Sequence, residues 1–329
     1  MNFHRYKEDF METISLIVPC FNEEEAINLF YQAVEDVRPQ FPNYIELEYV
    51  FVDDGSSDHT RDILADLARQ DQRVHYLSFS RNFGKEAGIY AGLQHAKGDY
   101  VAIMDVDLQD PPELLPEMYT IIQDQAYDCV GTRRVSREGE PPIRSFFANL
   151  YYRLMQHISK TEIVSGARDF RLMTRQMVNA ILEMTEYNRF SKGIFAWVGF
   201  KTKYLEYENI ERSAGQTSWS FWSLFTYSID GIVAFSEVPL DIISILGFFS
   251  FLAAILLAIF FAGRTLIFGN PTSGWTSLSV IILAMGGLQL LCLGVVGKYV
   301  GKTFLEVKHR PQYIIKETDQ DLAPIPDER

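Results

Sequence analysis

The sequence is poor in cysteine: its 329 residues include three, Cys20, Cys129 and Cys292. They are far apart and lack metal-site spacing, so neither a disulfide framework nor a thiolate metal centre is expected. Isolated thiols are typical of a reducing compartment. No Gly-x-Gly-x-x-Gly follows the first predicted strand, which argues against a dinucleotide-dependent oxidoreductase. The net charge of −13 argues against nucleic acid as the main partner.

Charged residues are missing from two long apolar stretches near the carboxyl end. None occurs from Ile242 to Gly263, and none lies between Arg264 and Lys298. Each stretch reaches the ~20 apolar residues that cross a hydrocarbon layer of ~30 Å. The alternative, a pair of buried core helices, needs a further domain to cover them, and too little chain remains. We predict a transmembrane hairpin over residues 239–301, with spans at about 240–263 and 278–298.

Basic residues flank this hairpin unequally. The loop between the spans, a turn-rich segment from Gly269 to Trp275, has only Arg264 at its edge. Five basic residues follow the second span: Lys298, Lys302, Lys308, Arg310 and Lys316. The positive-inside tendency therefore predicts a multi-pass protein of the cytoplasmic membrane, with the amino-terminal domain and both termini in the cytoplasm. No cleavable signal peptide is expected, because the apolar stretch Ile14 to Pro19 is too short.

The segments on either side of the hairpin are also distinctive. Between Phe221 and Phe235 the chain is rich in apolar residues, and Asp230 is the only charge. We predict an interfacial amphipathic helix over residues 218–238, with a buried helix of the soluble domain as the open alternative. Residues 302–329 are expected to form a basic and then disordered cytoplasmic tail, with disorder from Glu317 onwards.

Short β-rich runs alternate with helical patterns in residues 1–217, which favours an α/β domain with a mainly parallel sheet. The predicted strands are Ser15 to Val18, Tyr49 to Val52, His75 to Leu77, Tyr100 to Met104 and Asp128 to Val130. The predicted helices are Glu24 to Val37, Thr60 to Arg69, Lys85 to His95 and Glu113 to Ile122. In such sheets, ligands bind at the carboxyl ends of the strands.

Acidic or polar loops follow three of these strands. They are Pro19-Cys20-Phe21-Asn22-Glu23-Glu24, Asp53-Asp54-Gly55-Ser56-Ser57-Asp58 and Asp105-Val106-Asp107-Leu108-Gln109-Asp110. One such loop alone could be a turn or a helix cap. Three at one rim indicate a ligand site.

Carboxylates without a bound cation repel the negative charge of a nucleotide diphosphate. A divalent cation bound between them offsets that repulsion. Asp107, with Asp105 or Gln109, offers hard oxygen ligands for Mg²⁺ or Mn²⁺, and diphosphate oxygens complete the shell. The ion then stabilises the leaving diphosphate as a Lewis acid. Asp53 or Asp54 can instead accept hydrogen bonds from the base or ribose. Asp107 as a general base is the lesser alternative.

Arginines supply the opposite charge. The candidates are Arg133, Arg134, Arg137, Arg144 and Arg212. Arginine binds phosphate through bidentate, charge-assisted hydrogen bonds. Arg212 lies shortly before the predicted interfacial helix, where it could meet a phosphate at the bilayer surface. A solvated surface role is the alternative for each one.

Taken together, these motifs resemble glycosyltransferase family 2, and within it the polyisoprenyl-phosphate glycosyltransferases. That group includes dolichol-phosphate mannose synthase and the bactoprenol glucosyltransferases. The resemblance runs from Ile14 to about Lys316 and adds Ser80-Arg81-Asn82-Phe83-Gly84-Lys85-Glu86 and Glu211-Arg212 with Gly215 to the loops above. Ser218 stands where many relatives have lysine.

The resemblance implies a GT-A fold, an inverting displacement at the anomeric carbon and a lipid-phosphate acceptor. It places Pro19, Phe21, Glu23, Asp53, Asp54 and Lys85 at the nucleotide sugar. It assigns Asp105, Asp107 and Gln109 to the metal, and Arg133 and Arg212 to the donor diphosphate and acceptor phosphate. Asp105, Asp107, Arg133 and Arg212 are the expected catalytic residues.

The resemblance also indicates the substrates. It favours glucose from UDP-glucose and undecaprenyl phosphate as the acceptor, with N-acetylglucosamine or a modified pentose as alternative sugars. Members of the group can form homo-oligomers through their membrane helices. Two rival functions stay open at this point: a processive polysaccharide synthase, which is expected to have more spans, and a non-enzymatic membrane protein that binds a nucleotide sugar.

Overall fold

The structure is a computed structural model that describes residues 11–134, 164, 166–207, 229, 231–233, 236–268 and 274–322. Its strands are β1 (Glu12–Cys20), β2 (Ile45–Asp53), β3 (Val74–Phe79), β4 (Tyr100–Ile103), β5 (Cys129–Arg134), β6 (Ala167–Thr174), β7 (Thr202–Tyr207) and β8 (Ile315–Thr318). Its α-helices are α1 (Ile27–Val37), α2 (Thr60–Gln70), α3 (Lys85–His95), α4 (Leu114–Gln125), α5 (Arg175–Glu183), α6 (Ser191–Trp197), α7 (Val238–Phe268) and α8 (Trp275–Val307). Two short 3-10 helices cover Arg38–Gln40 and Asp319–Asp321.

In the described residues these strands form one sheet, in the order β7-β5-β6-β4-β1-β2-β3-β8. The pairs β4–β1, β1–β2, β2–β3 and β5–β7 are parallel, whereas β6 runs antiparallel between β4 and β5. The predicted α/β class is confirmed, and the five predicted strands and four predicted helices all exist. The later elements β6, β7, α5, α6 and β8 were not predicted.

The parallel part of the sheet aligns the ends of its strands. Cys20 pairs with Asp53, and Ile17 pairs with Ile103, which ends β4. Because parallel strands end at the same edge, the loops that follow β1, β2 and β4 emerge side by side. This register carries the three predicted polar loops to one rim of the sheet.

Burial explains why β1 lies in the middle of the sheet. Ile14, Leu16, Ile17 and Val18 are fully buried although their side chains point to both faces. A strand covered on both faces reads as a continuous apolar run rather than an alternating one. Helix α3 covers one of these faces at short range, because a Cβ on Gly92 would lie only 2.2 Å from Ile17 Cγ2.

Helices α7 and α8 extend beyond the apolar stretches predicted from the sequence. Within them, residues 238–261 and 281–307 are long and apolar enough to cross a membrane, and none of either apolar window is buried. Exposed apolar side chains along helices of 31 and 33 residues fit contact with lipid better than contact with water. The prediction of two apolar carboxyl-terminal helices is confirmed.

The expectation of disorder from Glu317 onwards is wrong for residues 317–322. β8 pairs antiparallel with the edge strand β3, and the 3-10 helix follows it. The edge strand offers unpaired backbone groups, and the tail satisfies them. Apolar packing adds to this, since the Tyr313 ring stacks on Phe79 with centroids 4.9 Å apart. Residues 323–329 lie outside the described residues.

The predicted interfacial helix lies largely outside the described residues. Within it, Ile229 and residues 231–233 are helical, and residues 236 and 237 precede α7. The interfacial role and the domain boundary at 217 therefore stay predictions.

Candidate active site

Asp53 ends β2 and is almost fully buried, at 1% exposure. Its two carboxylate oxygens accept hydrogen bonds from Ser56 N at 2.9 Å and from Ser78 Oγ at 2.6 Å. The residue thus stabilises its own turn and links β2 to β3. This is the turn-stabilising role that the sequence allowed as an alternative, and its contact with a nucleotide stays a prediction.

Asp54 holds the next loop in place. Its carboxylate accepts hydrogen bonds from Phe83 N at 2.6 Å and Gly84 N at 2.8 Å, and burial raises its pKa. The two backbones meet so closely that a Cβ on Gly55 would lie 2.5 Å from the Arg81 carbonyl carbon. The Asp-Asp-Gly-Ser turn and the Arg-Asn-Phe-Gly-Lys loop therefore form one interlocked unit.

Lys85, the first residue of α3, reaches into the acidic rim. Its Nζ lies 2.7 Å from Asp105 Oδ1 and 2.6 Å from Asp169 Oδ2. Burial opposes a charged ammonium here, but the two carboxylates outweigh it and raise the pKa of Lys85. Burial likewise opposes ionisation of Asp169, yet the neighbouring Lys85 ammonium holds the pKa of Asp169 well below its usual range. Lys85 and Asp169 are therefore charged together.

Asp169 is a site residue that the sequence reasoning missed. It lies on β6, in the run Ala-Arg-Asp-Phe-Arg, and is brought to Asp105 because β6 pairs with β4. The available signal was an acid flanked by two arginines inside an otherwise apolar strand. A charge in such a position is expensive unless it is paired, so it marks a polar cluster.

The loop after β4 carries the candidate metal ligands. Leu108 has a left-handed backbone, with φ of 54°, and Asp107 is 7% exposed. Gln109 N donates to Asp107 Oδ1 at 3.2 Å, while Gln109 Oε1 accepts from Arg134 Nη2 at 3.2 Å. The amide oxygen of Gln109 thus already accepts a hydrogen bond, which makes it less available as the third metal ligand. That role stays a prediction.

The acidic side chains of the described residues do not form a complete metal site by themselves. Among those residues, no group of three or more His, Cys, Asp or Glu side chains could hold an ion. A Mg²⁺ site completed by substrate phosphates needs only one or two protein carboxylates. Asp105 and Asp107 meet that lesser requirement, so the donor set fits a cation that arrives with a diphosphate.

A second arginine set compensates the acidic loop. Arg168 Nε lies 3.2 Å from Asp110 Oδ1, and Arg168 Nη2 lies 4.0 Å from Asp105 Oδ2. The Tyr207 hydroxyl also donates to Asp110, and Arg134 Nε donates to that hydroxyl at 3.3 Å. Arg134, a candidate phosphate ligand from the sequence, and Arg168, which the sequence reasoning missed, therefore both lie against the acids.

Arg133, the predicted phosphate ligand, has a different contact. Its Nη2 forms an ion pair with Glu206 Oε1 at 3.0 Å, and both side chains are substantially exposed. The alternation of side chains along β5 turns neighbouring residues to opposite faces, so Arg133 and Arg134 separate. Arg212 lies outside the described residues, as do Arg137 and Arg144.

The loop after β1 completes the rim. Asn22 N donates to Ser56 Oγ at 2.9 Å, and Glu23 N donates to Thr60 Oγ1 at 2.8 Å. Phe21 is 43% exposed beside these contacts. An exposed aromatic ring next to a polar turn can stack on a base. Pro19, Phe21 and Glu23 are thus carried by the same rim as Asp53 and Asp105.

Comparisons with known proteins agree with this architecture. The family model for glycosyl transferase family 2 matches residues 15–182. The bactoprenol glucosyl transferase of Shigella phage SfV is 44% identical over 307 residues, covering 93% of this chain and 99% of that protein. A prophage bactoprenol glucosyl transferase homolog of Escherichia coli is 44% identical over 303 residues, covering 92% and 98%.

A glycosyltransferase of Bacillus subtilis is similar at 41% identity over 315 residues, which is 95% of this chain and 94% of that protein. Among solved structures, glucosyl-3-phosphoglycerate synthase from Mycobacterium tuberculosis is 17% identical, with a TM-score of 0.44, covering 68% of this chain and 78% of that one. The family match spans the rim loops and the relatives span nearly the whole chain, so this protein belongs to glycosyltransferase family 2.

Proposed function

We propose that this protein transfers glucose from UDP-glucose to the phosphate of a polyisoprenyl lipid, undecaprenyl phosphate, for modification of a cell-envelope glycan. The carrying observation is the 44% identity, over nearly the full length of both chains, to proteins named bactoprenol glucosyl transferases. The acidic rim and the two apolar helices support the same assignment. The rim provides a binding site for the nucleotide sugar, and the helices bring the enzyme to its lipid acceptor.

The donor occupies the rim formed by the loops after β1, β2 and β4. Pro19, Phe21 and Glu23 surround the base and ribose, together with the Asp53–Asp54 turn. Lys85 neutralises Asp105 and thereby lessens the repulsion that a diphosphate meets at this edge. Arg133 and Arg212 are assigned to the donor diphosphate and the acceptor phosphate, respectively.

Asp105 and Asp107 would hold the divalent ion, Mg²⁺ or Mn²⁺, with Gln109 as a further oxygen donor. The bound ion supplies Lewis-acid stabilisation of the leaving diphosphate. The protein's own part is to fix the two carboxylates: Lys85 and Arg168 hold Asp105, and the backbone N–H of Gln109 holds Asp107.

The phosphate of the lipid acceptor acts directly as the nucleophile. A phosphate oxygen attacks the anomeric carbon, a new C–O bond forms, and the bond from that carbon to the UDP oxygen breaks with inversion. The electron pair leaves on UDP. A phosphate monoester has a second pKa of about 6, by analogy with phosphorylated side chains. It is therefore mostly a dianion at neutral pH and needs no general base.

The membrane arrangement follows from the same reaction. The hairpin α7–α8 anchors the enzyme in the inner membrane, and the lysines after the second span keep the catalytic domain and both termini on the cytoplasmic side. UDP-glucose is a cytoplasmic donor in this scheme, and the lipid phosphate lies at the adjoining leaflet. Assembly of several copies through the apolar helices belongs to the same proposal.

A donor panel tests the assignment. Purified full-length protein in detergent is given undecaprenyl phosphate and, in separate reactions, UDP-glucose, UDP-N-acetylglucosamine or a nucleotide-linked pentose, and the lipid product is identified by mass. We expect a single hexose on the lipid phosphate from UDP-glucose. A product formed only from another donor would overturn the sugar, and repeated additions would indicate a processive synthase.

A further inference from the structure

A cavity lies outside the acidic rim, between the catalytic domain and the apolar helices. Its volume is about 260 Å³. The first turn of α3, the loop before α6, the end of α8 and the chain that follows it all contribute walls. The lining side chains that matter here are Arg81, Glu86, Arg189 and Lys302.

Three of these side chains carry positive charge. The Arg81 guanidinium lies over the Phe83 ring at 3.9 Å, and the Arg189 guanidinium lies over the Tyr90 ring at 4.3 Å. Lys302 Nζ donates to Asn188 Oδ1 at 3.0 Å. Stacking on a ring fixes each guanidinium. A backbone carbonyl holds Nη1 of each as well, Asn82 O for Arg81 at 2.9 Å and Met184 O for Arg189. The cavity therefore presents cations that are already positioned.

Carboxylates also lie close to these cations, Glu186 and Glu86 near Arg189 and Glu306 near Lys302. Glu86 accepts a hydrogen bond from Ser191 N at 2.9 Å and another from the Ser191 hydroxyl, and burial raises its pKa. Glu186 lies near Arg189, but burial still lowers the pKa of Arg189. Among the described residues, Arg189 Nε is buried without a hydrogen-bond partner, and so is Glu186 Oε2. A buried donor left unpaired is unfavourable, so an acceptor is expected there.

The position of the cavity limits what can fill it. Lys302 lies one turn before Glu306, whose carboxylate accepts hydrogen bonds from Tyr187 N at 2.9 Å and Asn188 N at 3.0 Å. These contacts fasten the cavity to the end of α8, where the apolar helix meets the catalytic domain. Lipid headgroups lie at such a boundary. The volume is also below the ~300–1,000 Å³ of sites for drug-sized ligands, which suits a headgroup better than a nucleotide.

We propose that this junction cavity, formed by Arg81, Arg189 and Lys302 around Glu86, binds the phosphate headgroup of the lipid acceptor before transfer. The inference rests on the proposed function, because that function supplies a lipid with a phosphate. Glu86 faces the cavity, and the preceding residue, Lys85, contacts Asp105 and Asp169. A headgroup held here is therefore next to the catalytic rim but does not occupy the donor site.

Binding of a short-chain polyprenyl phosphate to the full chain in detergent tests this, with native mass spectrometry as the readout. Arg81→Gln and Lys302→Gln should each weaken binding roughly tenfold, as expected for losing a charge-assisted hydrogen bond. The double variant should lose about a hundredfold if the two effects add. Arg81→Lys, which keeps the charge, should recover part of the loss.

Controls separate this site from general electrostatics and from misfolding. Lys308→Gln removes an exposed lysine just beyond the end of α8, outside the cavity lining, and should bind as the wild type does. The melting temperature of the double variant should stay near wild type, which shows that the variant is folded. Polyprenol and inorganic phosphate are run as parallel ligands, and both should bind far more weakly than the lipid phosphate.

The outcomes distinguish the two proposals. If the wild type glucosylates polyprenyl phosphate and the double variant binds that lipid equally well, the cavity assignment is wrong and the function stands. If inorganic phosphate binds as tightly as the lipid, the cavity takes free phosphate and the assignment to a headgroup is overturned. A wild-type protein that neither binds nor glucosylates the lipid overturns both.

Discussion

Replacing Gly55 by alanine should disrupt the active-site rim more than an alanine elsewhere in the same backbone conformation. Gly55 has φ of +70°, and its new Cβ would lie 2.5, 2.8 and 2.9 Å from the C, Cα and O atoms of Arg81. All three are backbone atoms, so no side chain can rotate away. The Arg81 loop must move, and that movement strains its two hydrogen bonds to Asp54.

Gly199 provides the matched control. Its φ is +73°, and a Cβ there would meet nothing closer than Trp197 O at 3.9 Å. Both substitutions incur the backbone strain of a non-glycine residue in this region, ~1–3 kcal/mol. Gly55→Ala adds the cost of overpacking, a further ~1–3 kcal/mol. At ~2–4 °C per kcal/mol for a domain of this size, the Gly55 variant should melt at least ~2 °C below the Gly199 variant.

The assay is thermal unfolding of each purified variant in detergent, paired with the KM for UDP-glucose. Gly55→Ala should raise that KM because the rim loops no longer interlock, whereas Gly199→Ala should leave it unchanged. Equal melting temperatures together with equal KM values would refute the close contact between the Asp-Asp-Gly-Ser turn and the Arg81 loop.

Three further predictions follow from the site, the tail and the hairpin. Asp107→Asn should abolish turnover in a protein that still folds, and chelation should do the same to the wild type until Mg²⁺ or Mn²⁺ is restored; full activity in excess chelator would contradict the metal role. The hydrogen bond with Asp319 raises the pKa of His75, so its contribution to tail docking is complete below about pH 6.5 and declines as the pH rises through the pKa of the folded protein. The backbone amides of β8 should therefore exchange faster at about pH 8 than at about pH 6, after correction for intrinsic exchange rates. The substitution His75→Asn should remove this difference. Cysteines placed at Ser273 and Gln320 should react differently with an impermeant thiol reagent added to intact cells, and equal labelling would contradict a hairpin with cytoplasmic termini.

Local pattern was sufficient to predict much of the catalytic domain. β1, β2 and β4 each contain a buried apolar run, and helix α3 begins and ends at the predicted residues, Lys85 and His95. The rim could also be predicted, because parallel strands carry their following loops to one edge whatever the details of packing. That reasoning brought the loops after β1, β2 and β4 together correctly.

The missing parts depend on long-range pairing. β6 contains three charged residues, Arg168, Asp169 and Arg171, so its sequence does not resemble that of a buried strand. The strand is stabilised by pairing with β4 and β5 and by the ion pair between Lys85 and Asp169. No local pattern reports that pairing. The contacts of Arg134 and Arg168 with the acidic loop were missed for the same reason.

The tail shows the same limit at the edge of the sheet. Residues 317–321 are all polar, which predicts disorder, but β3 supplies partners for this segment. Glu317 accepts a hydrogen bond from the Tyr76 hydroxyl at 2.7 Å, and Asp319 pairs with His75 at 2.9 Å. Both acids meet these partners only because the chain that follows α8 returns to the edge of the sheet.

The most direct test of the central claim compares two lipids that differ only in the phosphate. Purified enzyme is given labelled UDP-glucose with either polyprenyl phosphate or the free polyprenol, and label in the lipid fraction is measured over time. We predict transfer to the phosphate and none above background to the alcohol, because the alcohol lacks the dianionic nucleophile. Equal transfer to both lipids would contradict the proposed function, even with the family assignment intact.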